Sequence, residues 1–152
     1  MTISDASAML DTNVLVYAAD AGSPFHEAAR QLRDRGVRGE IALVVCPQVL
    51  LEFFAVVTHP RRVHTPRSPQ EASAEIAKYM RARRIRTIYP GPDLLQHVLA
   101  LHAQHPHVAR QDIFDLALVA TMLANRIACI YTYKQQHFTP FHELTVLTPQ
   151  LS

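Results

Sequence analysis

Short unbroken apolar runs alternate along this chain with longer stretches in which apolar residues recur every three or four positions. A run that is apolar throughout reads as a strand covered on both faces, and a recurring stripe reads as a helix. Residues 8–10 form the first run, and 12–19 carry the first helical pattern. Ser23 and Pro24 stand as cap and first position of a second helix over Ala28, Ala29 and Leu32, with Gly36 and Gly39 at its end. Residues 41–45 are a second run. Pro47 opens a third helix, striped by Val49, Leu50, Phe53, Phe54 and Val57. Ser68-Pro69-Gln70-Glu71 is a capping box, and the helix it starts carries Ala72, Ile76, Tyr79 and Met80. A third run covers 85–89, and Pro90-Gly91-Pro92 turns into a helix over Leu94, Leu95, Val98, Leu99 and Leu101. His102 to Arg110 reads as a polar loop. Residues 112–125 are apolar almost all round, the mark of a deeply buried helix. Residues 127–132 form a fourth strand, and 145–147 a candidate fifth at the sheet edge.

Strands alternating with helices predict an α/β fold: one domain over 1–152, with a central, mainly parallel sheet of four to five strands flanked by helices. A chain of 152 residues suffices for one real core and is short for two. A hydrophobic content of 49% argues against disorder. No apolar stretch approaches the roughly 18–20 residues that span a membrane. Met1-Thr2-Ile3-Ser4-Asp5 lacks the basic and then apolar pattern of a signal peptide. Cys46 and Cys129 read as buried free thiols in a reducing compartment. The expectation is a cytoplasmic protein with no membrane partner. All but two of the 15 basic residues are Arg, which forks onto phosphate, but a codon bias explains that equally well. The net charge of +2 does not by itself imply a polyanionic partner.

Three acids each stand alone in an apolar setting: Asp11 after the first strand, Glu52 in the third helix and Asp115 in the last. At about 5 Å and an effective dielectric near 20, each pair repels by roughly 3 kcal/mol. Gathering all three costs about 10 kcal/mol, comparable to the stability of a domain, so such a site needs cations. Hard oxygen ligands select Mg²⁺ or Mn²⁺, and an ion of that kind can hold a phosphodiester for in-line attack by water. Simpler roles compete. Asp11 can cap the following helix. Glu52 lies about 100° from the centre of its helix's stripe and can be a solvated flank residue. Asp112 and Asp115 have capping-box spacing, and Asp112 reads as the cap. His102, His105 and His107 sit in a polar loop without cysteine, which favours a solvated loop over zinc. His59, Arg61 and Arg62, with His64 and Arg67, form a basic loop after the Glu52 helix, a candidate for phosphate contact beside the crevice. Phe53, Phe54 and Phe114 read as core rather than as platforms for bases.

Leu10-Asp11-Thr12-Asn13-Val14-Leu15, Leu51-Glu52-Phe53 with Val57-Thr58-His59-Pro60-Arg61, Asp115 to Ala120, and Tyr131-Thr132 with His137-Phe138 occur in this order. Together they resemble the PIN-domain ribonucleases, particularly the VapC-type toxins of bacterial toxin–antitoxin pairs, and the likeness spans essentially the whole chain. The resemblance implies a parallel sheet flanked by helices and cleavage of RNA with Mg²⁺ or Mn²⁺. It also implies a homodimer and a small antitoxin whose tail blocks the crevice. Asp11, Glu52 and Asp115 match metal-site acids. Thr132 matches a polar residue beside them, and Thr12, Asn13, Asp112 and Lys134 are expected to line the same site. Lys134 departs from the pattern, because the family commonly places Asp or Asn there. A cation at that point either offsets the carboxylates without metal, leaving a catalytically weak module that binds RNA or protein, or holds a substrate phosphate. The expectation is an active endoribonuclease. A phosphatase with Asp11 as nucleophile would resemble a family that wants a second Asp where Asn13 stands. A Gly-rich nucleotide loop has no support from only four glycines.

Overall fold

A computed structural model describes residues 6–152. The Met1–Asp5 segment, read above for a signal peptide, lies outside the described residues. In chain order the elements are β1 (Ala8–Leu10), α1 (Thr12–Ala19), α2 (His26–Val37), β2 (Leu43–Val45), α3 (Pro47–Val57), α4 (Pro69–Arg81), β3 (Ile85–Thr87), α5 (Leu94–Gln104), α6 (Ile113–Ala124), β4 (Cys129–Tyr131) and β5 (Thr145–Leu147). The five strands form one sheet in the order β3-β2-β1-β4-β5, and every pairing is parallel. The expected edge strand is thus β5. β1 and β2 are buried along their whole length, which is why their sequences run apolar without alternation.

The chain leaves β1 toward β2 and β3 on one side and returns through β4 and β5 on the other. The order therefore switches direction between β1 and β4, where a crevice opens at the carboxyl ends of parallel strands. Residues 11 and 132, just past β1 and β4, stand at that crevice. The ladder runs one bond further there, from Asp11 N–H to the Tyr131 carbonyl at 3.0 Å. α6 buries Leu116, Leu118, Val119, Ala120, Thr121 and Met122, in keeping with its all-round apolar sequence. No helix among the described residues is long and apolar enough to cross a membrane.

Several expectations change. α2 begins at His26, not at Ser23 and Pro24. Ser23 shapes the preceding turn: its hydroxyl accepts from Phe25 N–H at 3.1 Å and its carbonyl from His26 N–H at 3.1 Å. Gly36 lies inside α2, where a Cβ would stand 2.4 Å from Leu43 Cδ1, so it permits close packing of helix on strand. Gly39, at φ +78°, makes the turn that follows. Met80, Leu95 and Leu99 sit on the outer faces of α4 and α5, so their helical spacing did not mark core. His102 belongs to the last turn of α5, and its ring Nε2 lies 2.8 Å from the Val108 carbonyl. Both thiols are free; Cys46 is buried and Cys129 half-buried.

Candidate metal centre

Asp11 caps α1, as a bland reading allowed, but only one of its oxygens does so. Oδ1 accepts from Thr12 N–H at 2.8 Å. Oδ2 accepts from the buried Thr132 hydroxyl at 2.7 Å and from Asn13 Nδ2 at 3.2 Å. Asn13 also reaches across the crevice, where its Oδ1 accepts from Tyr133 N–H at 3.0 Å. The Thr132 hydroxyl in turn accepts from Lys134 N–H at 3.0 Å. The adjacency of β1 and β4 produces this lacing, and it fixes the Asp11 carboxylate in one orientation.

Glu52 projects from α3 at the solvent-exposed rim, and the Thr12 hydroxyl lies 3.5 Å from its Oε1, a long bond. Asp115 lies in the first turn of α6, half-buried. Its Oδ2 stands 2.8 Å from His137 Nδ1. Asp112 is not the expected side-chain cap: it ends a 3-10 turn, Arg110–Asp112, and makes no capping bond. That turn starts at Arg110 with φ 56°, a left-handed residue that redirects the chain into α6.

The carboxyl groups of Asp11, Glu52 and Asp115 are all raised above the ordinary range. For Asp11 burial is the main cause. It outweighs the Thr132 and Thr12 bonds, and the charge of Asp115 adds to it. Burial also leads for Glu52, with Asp11 and Asp115 raising it further against bonds from Gln48 and Thr12. Burial leads again for Asp115, opposed by His137 and supported by the charge of Asp112. The charge of Asp115 thus acts on Asp11, and the charges of both act on Glu52, so the fold brings the three acids within electrostatic reach at one crevice. Lys134 lowers both Asp11 and Asp115 by its charge, yet both remain raised. Its side chain is exposed and forms no ion pair within 4 Å among the described residues. Deprotonated, the pocket is therefore short of positive charge, and its donors are hard oxygens suited to a divalent cation.

The basic loop is placed differently. His64 bonds Asp20 through its backbone and ring, and Arg67 donates to the Ala19 carbonyl at 2.7 Å. These contacts tie the loop to the end of α1 opposite Asp11, about 12 Å away along eight residues of helix. His59, Arg61 and Arg62 share that loop, and none of their recorded contacts reaches the acids. His105 is half-buried, its ring 4.4 Å from that of Phe141. Phe53 is core as expected, but Phe114 is 55% exposed beside Asp115, which corrects its assignment to the core. Sequence reasoning gave His137 no role of its own. Its one signal was a place just before Phe138, which is buried.

Known proteins match this chain in sequence and in fold. A family model for the PIN domain matches residues 8–138. Ribonuclease VapC24 of Mycobacterium tuberculosis is 31% identical over 133 residues, covering 87% of this chain and 89% of that protein. Ribonuclease VapC48 of the same organism is 32% identical over 144 residues, covering 94% and 97%. Among solved structures, Mycobacterium tuberculosis VapC20, described as a Sarcin-Ricin loop cleaving toxin, superposes with a TM-score of 0.66 at 15% identity, over 88% of this chain and 95% of that one. VapBC2 from Rickettsia felis, bound to promoter DNA, gives 0.66 at 14% identity over 95% and 99%. At those identities the superpositions speak to the fold.

Proposed function

The chain belongs to the PIN domain family, and from that premise we propose that it is a divalent-metal-dependent endoribonuclease, the toxin of a VapBC-type toxin–antitoxin pair. Relatives covering most of the chain carry the name ribonuclease, which supports a nuclease. The observation that carries the reading is the arrangement of three acids, one capping α1, one in α3 and one in α6, each raised by burial and by a nearby acid's charge, at the switch point of a parallel sheet.

In this reading Asp11, Glu52 and Asp115 hold Mg²⁺ or Mn²⁺. Such an ion supplies positive charge against the negative charge that develops when water attacks a phosphodiester in line. Thr132 and Asn13 hold Asp11 in its binding orientation, and Thr12 steadies Glu52 at the rim. Lys134, exposed and unpaired with the acids, is free to meet a phosphate of the RNA. Because it leaves the acids raised, nothing favours the catalytically weak binding module. His59, Arg61 and Arg62 would touch the RNA only outside the crevice. An antitoxin partner is supported by neighbours solved as toxin–antitoxin complexes, from Klebsiella pneumoniae among others. A homodimer and a cytoplasmic setting belong to the same proposal. The test is RNA cleavage with Mg²⁺ or Mn²⁺, wild type against Asp11→Asn. Loss in the variant is expected, and equal cleavage by both overturns the reading.

A further inference from the structure

Tyr17, Phe25 and Tyr133 form an aromatic trio beside the crevice, and the reading above gives it no part. The Phe25 ring lies 5.2 Å from that of Tyr17 and 4.8 Å from that of Tyr133, centroid to centroid. The two tyrosines meet edge to face at 5.1 Å. These spacings are those of rings in contact. Tyr17 and Tyr133 pack against the core, whereas Phe25 lies over them and is 45% exposed. The Phe25 backbone is held on both sides. Its N–H donates to the Ser23 hydroxyl at 3.1 Å, and its carbonyl accepts from Ala29 N–H at 3.1 Å.

The trio adjoins the acids. Tyr133 N–H bonds Asn13, whose side chain also bonds Asp11. In the chain Tyr133 stands between Thr132, which holds Asp11, and Lys134, the exposed cation. An aromatic surface next to a free cation is what a nucleotide needs, with the base on the ring and the phosphate on the charge.

A satellite core accounts for part of this, since both tyrosines touch the main one. It does not account for Phe25, which turns nearly half its surface to solvent. Nor does it account for the Tyr133 hydroxyl, which is buried with no partner among the described residues. Packing alone is better served by phenylalanine at 133, which leaves no polar group orphaned.

We propose that the outward face of Phe25, backed by Tyr17 and Tyr133, is a stacking platform for one unpaired base of the RNA, with the adjoining phosphate on Lys134. The inference takes the identity of its ligand from the ribonuclease reading. Every base has a π-face, so the platform favours single-stranded segments without choosing their sequence.

The test reads binding with chelator present, so that metal-dependent cutting does not intervene. The probes are a short single-stranded oligouridylate and an abasic ribose–phosphate oligomer of equal length and charge. The wild type is expected to prefer the oligouridylate. Phe25→Leu keeps an apolar cover on the tyrosines and is expected to weaken oligouridylate about 5–150-fold, leaving the abasic oligomer unchanged. Lys134→Ala should weaken both probes and lower the salt slope by about 0.7. The chain has no tryptophan, so F25W adds a single indole at the platform and carries the test should Phe25→Leu fail to fold. Oligouridylate should quench its fluorescence and the abasic oligomer should not. Equal affinity of wild type and Phe25→Leu for oligouridylate, an unchanged salt slope in Lys134→Ala, or an indole quenched by an apolar peptide but not by oligouridylate overturns the inference. If metal-loaded wild type cuts RNA, Asp11→Asn does not, and Phe25→Leu leaves KM unchanged, the ribonuclease reading survives alone. If binding depends on the base and on Phe25 while Asp11→Asn cuts as wild type does, the platform stands and that reading falls.

Discussion

Two aspartates bracket α1, both nearly buried, and their electrostatics are opposite. Asp20 ends the helix, where the macrodipole disfavours an anion, yet its carboxyl lies below the ordinary range. Burial pushes it up, but the His64 ring and backbone N–H outweigh burial, with Gly22 N–H adding to them. Asp11 begins the helix, where the dipole favours an anion, and it too has three donors. It is nevertheless raised, because it is buried and Asp115 repels it. The number of hydrogen bonds does not separate the two. What separates them is whether the fold answers the charge from within. Asp20 is answered by His64 and is structural. Asp11 faces another acid, and in the proposed function a divalent cation supplies the balance.

Asp11→Asn should have the largest effect on activity, lowering RNA cleavage about 10²–10³-fold, on the scale of losing one preorganised electrostatic group. Thermal unfolding of the metal-free variant should show a midpoint no lower than that of wild type, because a repelled charge has gone. Next, Mn²⁺ at a hundred times its dissociation constant should stabilise the wild type by about 2.7 kcal/mol, read by urea unfolding and reversed by chelator. Glu52→Gln should receive less than half of that at the same Mn²⁺ concentration. Asp20→Asn should cost about 1–3 kcal/mol of stability while cleavage per folded molecule holds, since three donors lose a charged acceptor. Its pH dependence has a definite sign. A depressed native pKa contributes stability above the unfolded value of about 3.9, lost as pH falls through the lower native value. Wild type and Asp20→Asn should therefore differ fully at neutral pH and converge in strong acid. The smallest effect belongs to Lys134→Ala, which should tighten Mn²⁺ by about 0.5–1 kcal/mol and weaken RNA binding. Looser Mn²⁺ binding would give Lys134 a different part.

Much of the scaffold was legible because its signals are local. Pro47 and the Ser68–Glu71 box start α3 and α4, the apolar run at 8–10 is β1, and the run at 41–45 holds β2 in its last three residues. The three acids were legible as polar residues in apolar surroundings. The outward faces of α5 were not, because helical spacing at Leu95 and Leu99 cannot say which side meets the sheet. Asp112 misled because capping-box spacing was present without capping geometry, and Arg110's left-handed turn is invisible in the residue types. His137 is one of nine histidines, 22 positions from Asp115, and only the return of the chain through β4 brings them together.

The strand order also sets when the pocket can exist. β1, β2 and β3 are neighbours and all lie in the first 87 residues, so that half of the sheet can assemble while the rest is being synthesised. Thr132 and His137, which hold Asp11 and Asp115, arrive only with the segment that follows β4. A nascent or prematurely terminated chain that stops short of them would carry all three acids and still lack the partners that aim two of them.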